Sequence, residues 1–128
     1  MLNEDDIASA RIFEDWVVPK SRFFSDLHNV TGAGLDADGA YKKFSQKSCY
    51  TIPRGCFLPK KIQGVLLNGR NIGGTHKAHS SYRVMPICVN MGQAAGVLAA
   101  MSIEEKCAPQ DLDIHMIQEV LQQQNVGL

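Results

Sequence analysis

The sequence predicts an α/β or α+β domain with few short strands and about three helices. Three observations carry that prediction. Apolar residues recur at helical spacing near the N-terminus, after Pro86 and near the C-terminus. Short apolar runs at 49–52 and 65–67 are bounded by Pro, Gly and Asn, as short strands are. The length of 128 residues, 45% hydrophobic and 20% charged, suits one domain with a real core.

The elements follow in chain order. Asn3 is an N-cap candidate, and Glu4, Asp5 and Asp6 load a first helical turn with charge that suits the helix dipole. Ile7, Ala10, Phe13 and Val17 then mark one helical face, and Pro19 stops the run. Residues 21–48 read as irregular, with a loop marked by Gly32, Gly34 and Gly39. Cys49 to Ile52 reads as a short strand closed by Pro53. Val65-Leu66-Leu67 reads as a fully buried strand that ends at Asn68-Gly69-Arg70. Ile72 to Tyr82 reads as a loop of small and polar residues. Pro86 suits the first turn of a long helix, with Ile87, Met91, Ala94, Ala95, Leu98 and Met101 as its stripe. Gly92, Ala95, Gly96 and Ala99 would let another backbone approach that helix closely. Asp113 caps a last helix, from Ile114 to about Gln124. The chain shows no internal repeat. It divides into an irregular, cap-like segment at 1–48 and a strand-loop-helix unit with a C-terminal helix at 49–128.

Charge and composition exclude several functions. Thirteen Lys and Arg balance thirteen Asp and Glu. No positive excess exists to neutralise phosphates, so no nucleic-acid partner is expected. The apolar stretch from Val84 to Ile103 holds Asn90, Gln93 and Ser102, and reads as too polar for a membrane span. The acidic residues after Met1 do not resemble a secretory signal, and the expected location is cytoplasmic. Cys49, Cys56, Cys88 and Cys107 form no CxxC pair and read as reduced thiols, with a Cys49–Cys56 bridge left open. No metal site is expected, since His76 and His79 lack an evident third ligand.

Two motifs bear on chemistry. Gly32-Ala33-Gly34-Leu35-Asp36-Ala37 has the spacing G-x-G-x-x-A, but neither a buried strand nor an apolar helix flanks it, so it reads as a loop. The unit from Val65 to Met101 is more informative. A buried strand would deliver Gly69 to a crevice, and a helix starting at Pro86 would present unsatisfied backbone N–H groups there. Such a terminus suits an anion or a carbonyl that develops negative charge.

These residues also carry a resemblance. Tyr50-Thr51-Ile52-Pro53-Arg54, Leu58-Pro59-Lys60, Gly64 through Ile72, Thr75-His76, Arg83-Val84-Met85-Pro86 and Gly92-Gln93-Ala94-Ala95-Gly96 occur in that order. The chain resembles the C-terminal part of bacterial FAD-dependent oxidoreductases, flavoproteins of the glutathione-reductase and fumarate-reductase type. The resemblance covers nearly the whole chain, most densely from Tyr50 to Gly96. It implies the C-terminal half of a two-part FAD-binding domain. Gly69, Arg70 and Asn71 would lie beside the ribityl and phosphate groups of FAD. Val84, Met85 and Pro86 would open a helix near the flavin pyrimidine edge. His76 and Arg83 would bind substrate as the catalytic pair. Two departures stand out: Arg70 occupies a position that is often acidic, and Pro53 and Arg54 lack an intervening aromatic residue.

The implied function is therefore part of the flavin cradle of an FAD-dependent oxidoreductase, present as a fragment that is inactive alone and binds FAD weakly. The missing N-terminal FAD-binding part, or a second subunit in a homo-oligomer, would complete it. The alternative is a small non-catalytic interaction or assembly module that has lost flavin binding.

Overall fold

The computed structural model describes residues 1–25 and 46–126. Among the described residues four α-helices accompany a two-stranded antiparallel sheet: α1 (Glu4–Ala8), β1 (Trp16–Ser21), β2 (Tyr50–Pro53), α2 (His76–Tyr82), α3 (Met85–Glu104) and α4 (Ile114–Gln123). Short 3-10 turns at Arg54–Phe57 and Gly69–Asn71 connect them. The α/β or α+β expectation holds, with few strands and three helices of seven residues or more.

The N-terminal segment departs from the sequence expectation. Asn3 caps α1 as anticipated, accepting from the Asp6 N–H at 3.0 Å while Asp6 accepts from the Asn3 N–H at 3.1 Å. The helix then stops after five residues, at Ala8, rather than running to Pro19. Ala10 turns left-handed with φ 57°. Arg11 folds back so that its backbone N–H reaches the Asp6 carbonyl and its guanidinium the Asp6 carboxylate, both at 2.9 Å. Residues 16–21 become a strand because β2 offers them a partner ladder. Val17 and Val18, stiff at χ1 and suited to a pleat, are fully buried there. Pro19 is tolerated because the pairing Trp16↔Pro53, Val18↔Ile52, Ser21↔Tyr50 is irregular, with a bulge spanning the proline.

β2 matches the strand expected at 49–52, and all four of its residues are buried. The expected buried strand at Val65-Leu66-Leu67 is absent. Val65 is 49% exposed, and the segment's backbone is held by the Leu67 N–H donating to the Phe57 carbonyl at 2.8 Å. A continuous apolar run becomes a strand only beside a neighbour, and among the described residues none flanks it. Ile72 to Tyr82 is not a loop either. Thr75 caps α2 by accepting from the Ala78 N–H at 3.2 Å, and Ala78, Ser80, Ser81 and Tyr82 are buried.

α3 and α4 fall where the sequence puts them. Asp113 accepts from the His115 N–H at 2.8 Å to start α4. α3 packs against β1 and α4. Its inward side, Ile87, Met91, Ala94, Val97, Leu98 and Met101, joins Tyr50, Ile52, Ile117 and Leu121 in the core. By length and composition α3 could cross a membrane, a test that the core helix of a soluble protein also passes. All four cysteines are free, so the Cys49–Cys56 bridge does not form.

The N-terminus is tied to the α2 entry. The Leu2 N–H donates to Gly73, and the Thr75 N–H donates to Leu2, both at 2.9 Å. The residues from Gly73 to Thr75 thereby enter α2 at a fixed angle. Gly74 leaves room for the Tyr82 ring, whose hydroxyl would lie 2.6 Å from a Cβ at that position.

Candidate functional site

The site lies where α2 ends and α3 begins. α3 starts after Val84, an extended residue whose side chain caps nothing. The first intrahelical bond of the turn is from the Cys88 N–H to the Val84 carbonyl, at 3.0 Å. The N–H groups of Met85 and Ile87 precede it and have no intrahelical acceptor, while Pro86 has no N–H at all. The 20-residue helix brings the positive end of its dipole to this point.

A cavity of about 640 Å³ opens there, lined by Arg70, His79, Arg83, Val84, Met85 and Pro86. Arg70 reaches it from the 3-10 turn, where Gly69 takes φ 74°. The Arg70 Nε donates to the Arg83 carbonyl at 3.1 Å, which clamps the turn to the α2–α3 junction. This bond gives a structural reason for arginine at a position where the resemblance leads one to expect an acid. The Gly69 turn lies beside the first turn of α3, with Cys88 Sγ 4.0 Å from where a Gly69 Cβ would sit.

The sequence-derived site residues divide into three groups. Arg70, Arg83, Val84, Met85 and Pro86 line one cavity. Gly69 and Asn71 shape the turn beneath it: the Asn71 side chain accepts from the Asn68 N–H at 2.9 Å. His76 is exposed at the start of α2 and does not line the cavity, whereas His79, about one turn later, does. Desolvation by burial, and then the Arg83 cation, lower the His79 pKa, so its imidazole is held neutral. Its ring sits edge-on to Tyr82, with centroids 5.3 Å apart. Reading 72–82 as a loop hid His79. The signal was there in Thr75 as an N-cap, with Ala78 and Tyr82 four apart on one face.

Other candidates are structural. The Ser81 hydroxyl donates to the Phe23 carbonyl at 2.6 Å and lies 3.1 Å from the Tyr50 hydroxyl. Ser80 donates to the Lys77 carbonyl at 2.6 Å and pairs with Ser25 at 2.7 Å. Both serines are buried; Ser81 joins α2 to β2 through Tyr50, and Ser80 joins α2 to Ser25. Burial raises the Cys88 and Cys56 thiol pKa values, so neither is a ready thiolate. Arg54 donates to the Leu112 carbonyl at 2.7 Å and clips the α4 entry to β2. No group of three or more metal-ligating side chains occurs among the described residues. A second cavity of about 400 Å³, between Leu58–Val65 and Pro109–Gln110, brings no comparable set of charges to a helix end. The Gly32–Ala37 spacing lies outside the described residues.

No curated protein and no solved structure matches the chain. A family model described as FAD dependent oxidoreductase matches residues 1–121. That span takes in both strands, the α2–α3 junction with its cavity, and α4 to Leu121, and on it the chain belongs to the FAD dependent oxidoreductase family.

Proposed function

We propose that this chain supplies one part of the FAD cradle of an oxidoreductase, at the N-terminus of α3. FAD, when bound, supplies the hydride-accepting and hydride-donating chemistry. The observation that carries the reading is the cavity at an uncapped helix terminus with two arginines on its wall.

The residues present fit one portion of such a cofactor. Met85 and Ile87 bring N–H groups with no intrahelical acceptor, and the helix dipole favours negative charge there. Arg70 and Arg83 add two fixed positive charges, suited to a phosphate or to an electron-rich ring edge. Val84, Met85 and Pro86 give an apolar ledge for a planar ring. Neutral His79 offers a hydrogen bond without adding a third positive charge. On this reading His79 and Arg83 are the side chains that meet a substrate, and His76 stands outside the cavity.

The site is partial. One helix terminus and two surface arginines do not offset the rigid-body and ordering cost of a flexible dinucleotide, on the order of 4–15 kcal/mol. The chain therefore acts with the missing N-terminal FAD-binding part or a further subunit, in a cytoplasmic enzyme. Titration of the isolated chain with FAD at low salt, read by flavin fluorescence quenching and calorimetry, tests this. Binding in the high-micromolar to millimolar range is expected, weakened several-fold by Arg70→Ala or Arg83→Ala. Binding indifferent to both substitutions would remove this cavity as the site. Submicromolar binding by the monomer would mean that the cradle is complete.

A further inference from the structure

α3 has a second apolar face. Met85, Val89 and Ile103 are 75%, 68% and 78% exposed. With Gly92, Gly96 and Ala99 they follow one another at steps of four, three, four, three and four residues. At 100° per residue these six positions fall within an arc of about 80°. No Asp, Glu, Lys or Arg occurs from Met85 to Ile103. The spacing is that of a helix-pairing seam, so its occupant is another helix.

The glycines sharpen the point. Glycine is the poorest helix former after proline, yet Gly96 stands mid-helix with nothing within 4 Å of where a Cβ would be. Nothing inside the described chain requires it. A backbone approaching from outside would.

We propose that a second copy of this chain occupies the seam, with the two α3 helices antiparallel about a two-fold axis near Ala94. The pattern is self-complementary about that residue. Met85 meets Ile103 of the other copy, Val89 meets Ala99, and Gly92 meets Gly96. Large side chains pair at the ends, and Gly96 leaves open space near the centre, opposite Gly92, which has Asn68 Nδ2 3.6 Å from where its Cβ would sit. Charge fixes the direction. Arg70 and Arg83 lie beside Met85 at the positive dipole end. Glu104 and Glu105 lie at the negative end, with Lys106 leaving that end net acidic. Antiparallel pairing sets each basic end against an acidic one, whereas parallel pairing would set like against like. The interface is isologous, as a two-fold contact must be.

Met85, Arg70 and Arg83 also line the cavity, so association is measured without FAD. Sedimentation equilibrium of the whole chain should show a monomer–dimer equilibrium. Gly96→Leu should weaken the dimer at least tenfold while its circular dichroism and melting stay at or above wild type, because leucine favours the helix. Under mild oxidation the double variant Val89→Cys, Ala99→Cys should form a covalent dimer beyond the wild-type background, and each single variant should not. A monomer at all accessible concentrations would overturn the proposal. So would a dimer indifferent to Gly96→Leu, cross-linking by the single variants, or a monomer that instead binds phosphatidylcholine vesicles through α3.

Discussion

α3 and α4 lie side by side and solve the same packing problem differently. α4 is one-sided: Ile117 and Leu121 are buried, while His115, Glu119 and Gln122 face solvent. Its N-terminus is closed by Asp113. α3 is apolar on both sides, and its N-terminus is left open beside two arginines. A one-sided, capped helix is complete within its own domain. A two-sided, uncapped helix is complete only with something else beside it and at its end. The comparison separates the part of the chain that is closed within the fold from the part that we propose meets a cofactor and a partner.

The largest expected effect concerns the two faces of α3. Met91→Ala or Leu98→Ala removes a fully buried side chain from the inner face of α3 and should cost about 2–5 kcal/mol. Ile103→Ala, on the outer face, should stay within about 0.5 kcal/mol in the dilute monomer. Urea unfolding at low concentration measures both. An equal cost on the two faces would mean that the chain already covers the outer one.

Next comes the junction that aims α3. Gly74→Ala drives a methyl against the Tyr82 ring and should cost roughly 1–3 kcal/mol. Thermal unfolding reports the loss, and Gly96→Ala, in open space, serves as the contrast and should stabilise.

The two helix starts provide a smaller, paired effect. Asp113→Ala removes the α4 cap and should cost about 1 kcal/mol. Val84→Thr adds a capping hydroxyl where α3 has none and should gain about 0.5 kcal/mol if that end is free. The same substitution should weaken FAD binding, since the hydroxyl would compete for the free N–H groups. Denaturant midpoints and a flavin titration read the two arms.

The smallest effect is electrostatic. The His79 pKa is lowered in the fold, by burial and then by Arg83, so the unfolded chain takes up its proton first. Stability from this group is full above the unfolded value near 6.5 and declines as pH falls through the lower folded value. His79→Gln should flatten that acid-side decline. Ring-proton titration by NMR checks the cause: a midpoint at or above the ordinary histidine value would contradict it.

The parts of the fold legible in the sequence were those with local signals. Asp113 before an apolar period, Pro86 in a first turn and Asn3 before three acids all mark helix starts through backbone chemistry within four residues. Cys49 to Ile52 was legible as a strand because Pro53 closes it, and β2 lies one residue further on, at Tyr50–Pro53. The misreadings share one cause. Val17 fits a helical period and a pleat equally well, and only the pairing of its neighbours Trp16 and Val18 with Pro53 and Ile52 chose the pleat. Val65-Leu66-Leu67 has the composition of a buried strand but no neighbour among the described residues. His79 was weighed as a loop residue because Gly73, Gly74, Ser80 and Ser81 outweighed a single threonine cap.

By itself, then, the sequence determined where α3 and α4 begin, where β2 lies, and that the chain holds the residues of an FAD-dependent oxidoreductase family motif. Caps, prolines and apolar periods act within a turn or two, so they need no tertiary information. Only the tertiary structure decided that Trp16–Ser21 is a strand, that His79 rather than His76 lines the cavity, and that Arg70 clamps the α2–α3 junction. Each of those depends on contacts between residues far apart in the chain or on a helix phase of 100° per residue. A difference of three positions moved one histidine to the cavity wall and left the other in solvent.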